Sequence, residues 1–306
     1  MNVARTETRA TESGDRAKGE IRELAEQPEA FLVTEFHDLD ISPSATGLSV
    51  GYEDGEWRID QLVSHVIEWL PEFALRTGEY LDTSNANVVE RLRRAASRVY
   101  TSEKYSRRGE FGELFLHIAV RQVFGSIPAI SKIFYKTAEN ETVKGFDAVH
   151  VVGPPEDLEL WLGEAKFYKD FKGAAREAAK EIVLHTQNDY LRSEFLLVAD
   201  KIDDRLPHAS ALKKLLSPNT SLDDVFQRIC IPVLLTYDSK CVDGHICCDE
   251  TYRQAFAKEI EDCLSYIKSD LELPDNLKIH VFLLPLKSKT ELVASLHERL
   301  KICQQL

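Results

Sequence analysis

Apolar and polar positions alternate along this chain with two different periods. WRIDQLVSHVIEWLPEFAL carries Ile59, Leu62, Val63, Val66, Ile67 and Leu70 at helical spacing, and Pro71 breaks the run. SNANVVERLRRAASRVY predicts a second helix, with Ser84 or Asn85 as its N-cap. SEKYSRRGEFGELFLHIAVRQVFG predicts a third, with Leu114, Phe115, Ile118 and Phe124 on its apolar side. The alanine-rich KDFKGAAREAAKEIVLHTQNDY has high helix propensity. Short apolar runs predict strands at EAFLVTEFHDLDI, KIFYKTAE, SEFLLVADKI (193–202), IPVLLTYDS and IHVFLLPL. SPSATGLSVGYEDGE reads as a loop with turns and VDGH as a turn, followed by a helix from about Glu250 to Leu271 and a last helix. The central order is helix, three strands, helix, strand, which is an α/β arrangement.

The stretch GFDAVHVVGPPEDLELWLGEAKFY (145–168) organises the rest. Two apolar runs flank Gly153-Pro154-Pro155-Glu156-Asp157, which predicts a β-hairpin. Alternation puts Asp147, Val149 and Val151 on one face of the first strand, and Leu160, Leu162, Glu164 and Lys166 on one face of the second. If Val152 pairs with Glu159, Asp147 lies opposite Glu164; a slip of one residue separates them. Two carboxylates and an ammonium then meet at the end of an apolar face, where burial is costly unless the charges act on something. A divalent cation between Asp147 and Glu164 accounts for the acids, because Mg²⁺ prefers carboxylate oxygens and keeps some of its waters. Lys166 is then placed to position a water or to stabilise negative charge on a phosphate. This is an arrangement suited to phosphodiester hydrolysis; the purely structural alternative is a Lys–carboxylate bridge at a strand end.

Charge sharpens the picture. The formal net charge of −13 argues against a protein that coats nucleic acid over its whole surface. Residues 101–192 hold 13 basic and 14 acidic side chains, whereas the remainder holds 25 and 37, so the excess acid lies outside the central block. Within that block Lys104, Arg107 and Arg108 lead into the third helix, where they could grip a backbone phosphate. Glu113, His117 and Arg121 recur at helical spacing along it. Lys172, Arg176 and Lys180 form a second basic stripe at i, i+4 and i+8, a spacing that suits a helix edge facing the phosphates of a nucleic acid. The lead-in is equally readable as a solvated charge run, and many solvent-facing helices carry a stripe like the second. His37 and His65 stand singly and read as ordinary packed or surface histidines.

The composition is that of a globular chain, and no apolar run reaches the length of a membrane span. The polar start lacks an apolar signal core, so a cytoplasmic protein with thiols rather than disulfides is expected. Cys241, His245, Cys247 and Cys248 are spaced too irregularly for an ordinary structural zinc site. Asp238-x-Lys240 is a weaker rival to the hairpin triad, since it lacks a hairpin carboxylate and a following basic helix. No G-x-x-x-x-G-K-[ST], G-x-S-x-G or H-E-x-x-H pattern occurs, which excludes a P-loop motor and two common hydrolase classes.

Helix with Glu113, strand with Asp147, strand with Glu164-x-Lys166, then a basic helix and a strand resembles the PD-(D/E)XK nuclease core. Over residues 100–290, RRGEFGELFLH, GFDAVHV, LWLGEAKFY and IHVFLLPL look like the HamA family, nuclease subunits of the Hachiman anti-phage defence system. The resemblance implies a restriction-endonuclease-like α/β core, its central mixed β-sheet flanked by helices, with N- and C-terminal α/β extensions. Residues 1–27, polar and poor in large apolar groups, read as a flexible arm; the resemblance follows an N-terminal α/β region (28–100) and covers most of a PD-(D/E)XK-like nuclease core with C-terminal strands and helices (101–306). It implies a Mg²⁺-dependent deoxyribonuclease, with Mn²⁺ a possible substitute, acting on DNA beside a superfamily 2 helicase partner, HamB. Matched to the motif, Asp147 and Glu164 are the metal-binding acids, Lys166 the catalytic lysine, and Glu113 the acid of the preceding helix, ahead of Glu110. A Gln or Lys often follows on the next helix; Gln187 is late for it, and Lys180 and Arg176 are equal alternatives. The Asp is preceded by Phe146 rather than proline. The competing reading is a catalytically inactive nuclease-fold module that binds DNA or protein.

Overall fold

Where this chain is apolar at every position rather than at alternate ones, it forms the middle of a sheet covered on both faces. The computed structural model describes residues 27–99, 109–131 and 145–306, with the exception of 275. The elements begin with β1 (Val33–Asp38), β2 (Ser44–Ser49), the small hairpin β3 (Tyr52–Glu53) and β4 (Glu56–Trp57), and the helices α1 (Ile59–Glu68), α2 (Leu70–Ala74), α3 (Thr77–Leu81) and α4 (Val88–Val99). The central part comprises α5 (Glu110–Phe124), β5 (Ile127–Ser131), β6 (Ala148–Val152), β7 (Glu159–Phe167), α6 (Phe171–His185), α7 (Asn188–Lys201), α8 (Ala209–Leu215) and α9 (Leu222–Phe226). The remainder is β8 (Ile229–Asp238), α10 (Lys240–Asp243), α11 (Glu250–Asp270), β9 (Lys278–Leu286) and α12 (Lys289–Gln304). The expected arm lies outside the described residues except for Gln27, as do the basic lead-in with Arg107 and Arg108 and the strand expected at 132–139.

Seven strands form one mixed sheet in the order β1-β2-β9-β8-β7-β6-β5. The four in the middle, β2, β9, β8 and β7, run parallel to one another, and antiparallel pairs close both ends. The sheet therefore draws strands from both sides of residue 100. Alternation sorts the side chains into two cores. Ala148, Trp161 and Phe167 face α5 and pack in one cluster with residues of α1, α2, α4 and α12. Val149, Val151, Leu160 and Leu162 face the other way, onto Ala174, Ala175, Ala178 and Ile182 of α6 and the apolar residues of α7, α8 and α11. The result is three layers, helices on each side of the sheet, as the α/β reading requires.

Four segments differ from their sequence reading. Residues 193–202 form most of helix α7 rather than a strand, and the strand expected after α6 is supplied by β8. Leu191, Phe195, Val198 and Ile202 are buried at helical spacing, whereas Leu196 and Leu197 are about half exposed, at 51% and 47%. The run Phe-Leu-Leu-Val hid that period. The "loop" SATGLS is β2, an interior strand. Its residues are small because α11 presses on it: a Cβ on Gly47 would lie 3.0 Å from Phe256 and 3.1 Å from Ile260. The turn VDGH begins as the last residues of the short helix α10. The fourth predicted helix ends at His185 and the chain re-enters helix at Asn188.

Candidate active site

The hairpin β6–β7 has the register on which the site depends. Val152 pairs with Glu159, Val149 with Leu162 and Ala148 with Gly163. One step further, the Asp147 N–H donates to the Gly163 carbonyl at 2.8 Å, and the Ala165 N–H donates to Asp147 Oδ2 at 2.8 Å. Asp147 thus stands opposite Glu164, on the face that looks toward α6. Both are buried, at 5% and 2% exposure, and Lys166, two residues further on the same face, is buried as well.

Electrostatics at this strand end are unbalanced. Burial, and then the negative charge of Asp147, holds the Glu164 carboxyl well above the usual carboxylate range. Lys166 Nζ sits 2.8 Å from Glu164 Oε1 and 2.7 Å from Glu181 Oε2. Burial works against the ammonium, yet Glu164 and Glu181 together raise it above its ordinary value. Glu181 is drawn down to about 2: burial opposes its charge, but the hydrogen bonds with Glu164 and Lys166 outweigh it. On the far side of the pair, His185 Nδ1 approaches Glu164 Oε2 at 3.6 Å. The imidazole stacks on Tyr190, ring centroids 4.7 Å apart, with Phe146 edge-on at 5.3 Å.

Glu181 and His185 belong to the site but are not singled out by the hydrophobic pattern alone. They are four residues apart on α6, so they share the face that also buries Ala174 and Ala178. An acid and a histidine placed in register with small buried residues were the available clue. The basic stripe points elsewhere. Arg176 precedes Glu181 by five residues, about 140° around the helix at about 100° per residue. Lys172 lies over the Tyr266 ring at 4.8 Å, Arg176 reaches the Tyr266 hydroxyl at 3.4 Å, and Lys180 pairs with Glu177 at 3.3 Å. The stripe is exposed, along α6 toward α11, and is not gathered with the hairpin triad.

Glu113 is buried in the first turn of α5, with Glu110 beside it. This helix packs on the opposite face of β7 from Glu164, close enough that a Cβ on Gly112 would lie 2.9 Å from Phe167 Cβ and 3.7 Å from Ala165 Cβ. His117 and Arg121, which share its helical row, are bound to Glu72 of α2: His117 Nε2 to Oε1 at 3.0 Å, Arg121 Nε to Oε1 at 2.6 Å and Arg121 Nη2 to Oε2 at 3.0 Å. Burial opposes the Glu72 charge, but these two partners hold its carboxyl below the usual range. The row therefore splits between a structural ion cluster and the acids at its start.

Asp238 and Lys240 sit at the end of β8, next to the hairpin, where Asp238 Oδ1 accepts the Lys289 N–H at 2.6 Å. Cys241 is buried, Cys247 exposed, and the His245 ring bonds the Cys241 carbonyl at 2.7 Å. Among the described residues no three His, Cys, Asp or Glu side chains gather to hold a metal. For Mg²⁺ two carboxylates suffice, since it is commonly bound through one or two with waters and substrate phosphates. The donor set of Asp147 and Glu164 fits that cation, and their mutual repulsion is what it would relieve.

A family model, HamA, matches residues 26–300. The chain belongs to the HamA family. Anti-bacteriophage protein A of Escherichia coli (strain K12) is 24% identical over 259 residues, covering 82% of this chain and 46% of that protein. This HamA-family chain thus spans about half the length of the curated relative it matches. The match takes in the hairpin, α6 and the parallel strands, so the geometry above lies within the family's shared region. Among the described residues of this HamA-family chain, no helix is long and apolar enough to cross a membrane.

Proposed function

We propose that this HamA-family chain is a metal-dependent DNA endonuclease of an antiviral defence system, controlled by a superfamily 2 helicase partner. One observation carries the nuclease reading: Asp147 and Glu164 face each other across the β6–β7 pair, with Lys166 beside them on the same buried face. The defence role is supported by the family and by the relative named for its action against bacteriophage. The helicase and the DNA substrate rest on the resemblance to Hachiman nuclease subunits.

Asp147 and Glu164 would hold Mg²⁺, or Mn²⁺ in its place; Glu113, on α5 at the opposite face of β7, is not gathered with them as a third ligand. The chemistry such a cation supplies is Lewis-acid polarisation of a phosphoryl oxygen. The remaining tasks fall to side chains. With Glu164 committed to the cation, Lys166 loses one of its two carboxylate partners and its ammonium is free to stabilise charge developing on the phosphate. Glu181 keeps hold of Lys166 and so fixes its direction. The buried setting strengthens each of these interactions relative to water.

A second reading has its own support. Lys166 is already neutralised by Glu164 and Glu181, which is what a purely structural bridge in an inactive module would look like. Incubating the purified chain with plasmid and Mg²⁺ or Mn²⁺, with and without the helicase, separates the two. The nuclease reading expects nicking or linearisation that Glu164→Ala abolishes. Intact plasmid under every condition, with the helicase present and competent, would favour the inactive module.

A further inference from the structure

The parallel strands β7, β8 and β9 end side by side. Open α/β sheets take their ligands at the carboxyl ends of parallel strands. Here the Asp238 N–H donates to the Lys169 carbonyl at 3.0 Å, and the Ser239 N–H to the Leu286 carbonyl at 2.8 Å. Lys169, Lys240 and Lys287 therefore leave three neighbouring strand ends within a residue or so of those bonds. We propose that this edge is a docking surface for the phosphate backbone of DNA, built by Lys169, Lys240 and Lys287 around the exposed ring of Tyr168.

Three features support it. First, the nearby carboxylates, although exposed, are engaged by backbone amides: Asp238 accepts the first amide of α12 at 2.6 Å, and Asp170 accepts the Gly173 amide of α6 at 2.6 Å. Second, Lys289 is held in place, its ammonium bonded to the Phe167 carbonyl and 4.8 Å over the Phe167 ring, so it adds fixed positive charge behind the edge. Third, Tyr168 is 40% exposed next to Lys169, and an exposed aromatic ring beside lysines is the composition of a surface that stacks bases and tracks a backbone. By contrast, the stripe of Lys172, Arg176 and Lys180 is engaged with Tyr266 and Glu177 and turned away from Lys166.

This deepens the nuclease reading, on which the choice of DNA rests, and a binding measurement keeps the two apart. The full chain, in chelator so that no cutting intervenes, is titrated with a fluorescent DNA duplex over a range of salt. Lys169→Gln/Lys240→Gln/Lys287→Gln should weaken binding and flatten log K against log salt by about 0.9 for each phosphate that is no longer neutralised, because fewer counterions are released. Lys172→Gln/Arg176→Gln/Lys180→Gln should leave the slope within error of wild type. An unchanged slope in the edge variant, an equal loss in both variants, or no DNA binding by the wild type would each overturn the proposal. Plasmid cleavage by wild type run in parallel reports on the nuclease reading alone, and an unchanged circular dichroism spectrum confirms that the variants fold.

Discussion

At the residue scale, one strand end concentrates the charges that burial makes expensive. Asp147 and Glu164 repel, and Lys166 is shared between Glu164 and Glu181. Glu164→Ala should abolish metal-dependent cleavage, and Lys166→Ala should lower it by at least about 10²-fold, the usual cost of removing one preorganised electrostatic stabiliser. Both should retain the wild-type melting transition to within a few degrees, which calorimetry would check; full activity in either variant at equal concentration would speak against this site. Glu181 acts at one remove, through Lys166. Glu181→Gln keeps a hydrogen-bond acceptor for the ammonium and Glu181→Ala does not. We expect the Gln variant to recover most of the cleavage rate that the Ala variant loses, with DNA affinity unaltered in both. Equal rates in wild type and Glu181→Ala would remove Glu181 from the account.

At the element scale, what was legible followed from short-range pattern. The hairpin turn and the alternation of Asp147, Val149 and Val151 against Leu160, Leu162 and Glu164 sufficed to place the two acids opposite each other. Pattern failed where a tertiary neighbour decides. β2 has no strand signature because Gly47 must admit Phe256 and Ile260. α7 looked like a strand because Leu196 and Leu197, exposed in the fold, extend the apolar run between Phe195 and Val198. Glu181 and His185 were overlooked because charged residues in an alanine-rich helix resemble a solvated face; only their partner Glu164 distinguishes them. Two stability measurements follow. Phe195→Ala should cost about 3–5 kcal/mol by loss of core packing. Leu197→Lys, on the exposed side of the same helix, should change the urea midpoint little, since surface substitutions stay within about 0.5 kcal/mol. A strand at 193–202 would expose Phe195 and Leu197 on one face and make the two effects alike. Likewise Gly112→Val would push α5 off Phe167 and should destabilise by about 1–3 kcal/mol, as overpacking does.

At the scale of the whole molecule, two buried histidines, His65 of α1 and His280 of β9, fold as neutral side chains. Burial alone lowers His65 to about 4, and burial first, then His37, lowers His280 to about 3. His280 is fixed by Thr46 at 2.9 Å and Ser44 at 2.9 Å, which ties β9 to β2. A folded-state value below the unfolded one of about 6.5 means that the unfolded chain binds more protons. These histidines should therefore cost stability as pH drops below about 6.5, by up to about 1.4 kcal/mol per pH unit for each that stays neutral. Glu79, held at about 2 chiefly by the Arg98 hydrogen bond, adds a further loss below the ordinary carboxylate range. Glu164, held above that range, contributes with the opposite sign, costing stability as pH rises above it. Urea midpoints from pH 8 to pH 4 in wild type and His280→Gln check the histidine part: the variant should lose less between pH 7 and pH 5, and an equal loss would contradict it. The same sheet brings Asp147 and Glu164, held on different strands, to one point, and the central claim is that this point is a divalent-cation site. Calorimetric titration of the chain with Mn²⁺ tests it without requiring substrate or partner. The account predicts saturable binding in the wild type that Asp147→Asn and Glu164→Gln each remove while the fold persists; binding that survives both substitutions, or none in the wild type, would contradict it.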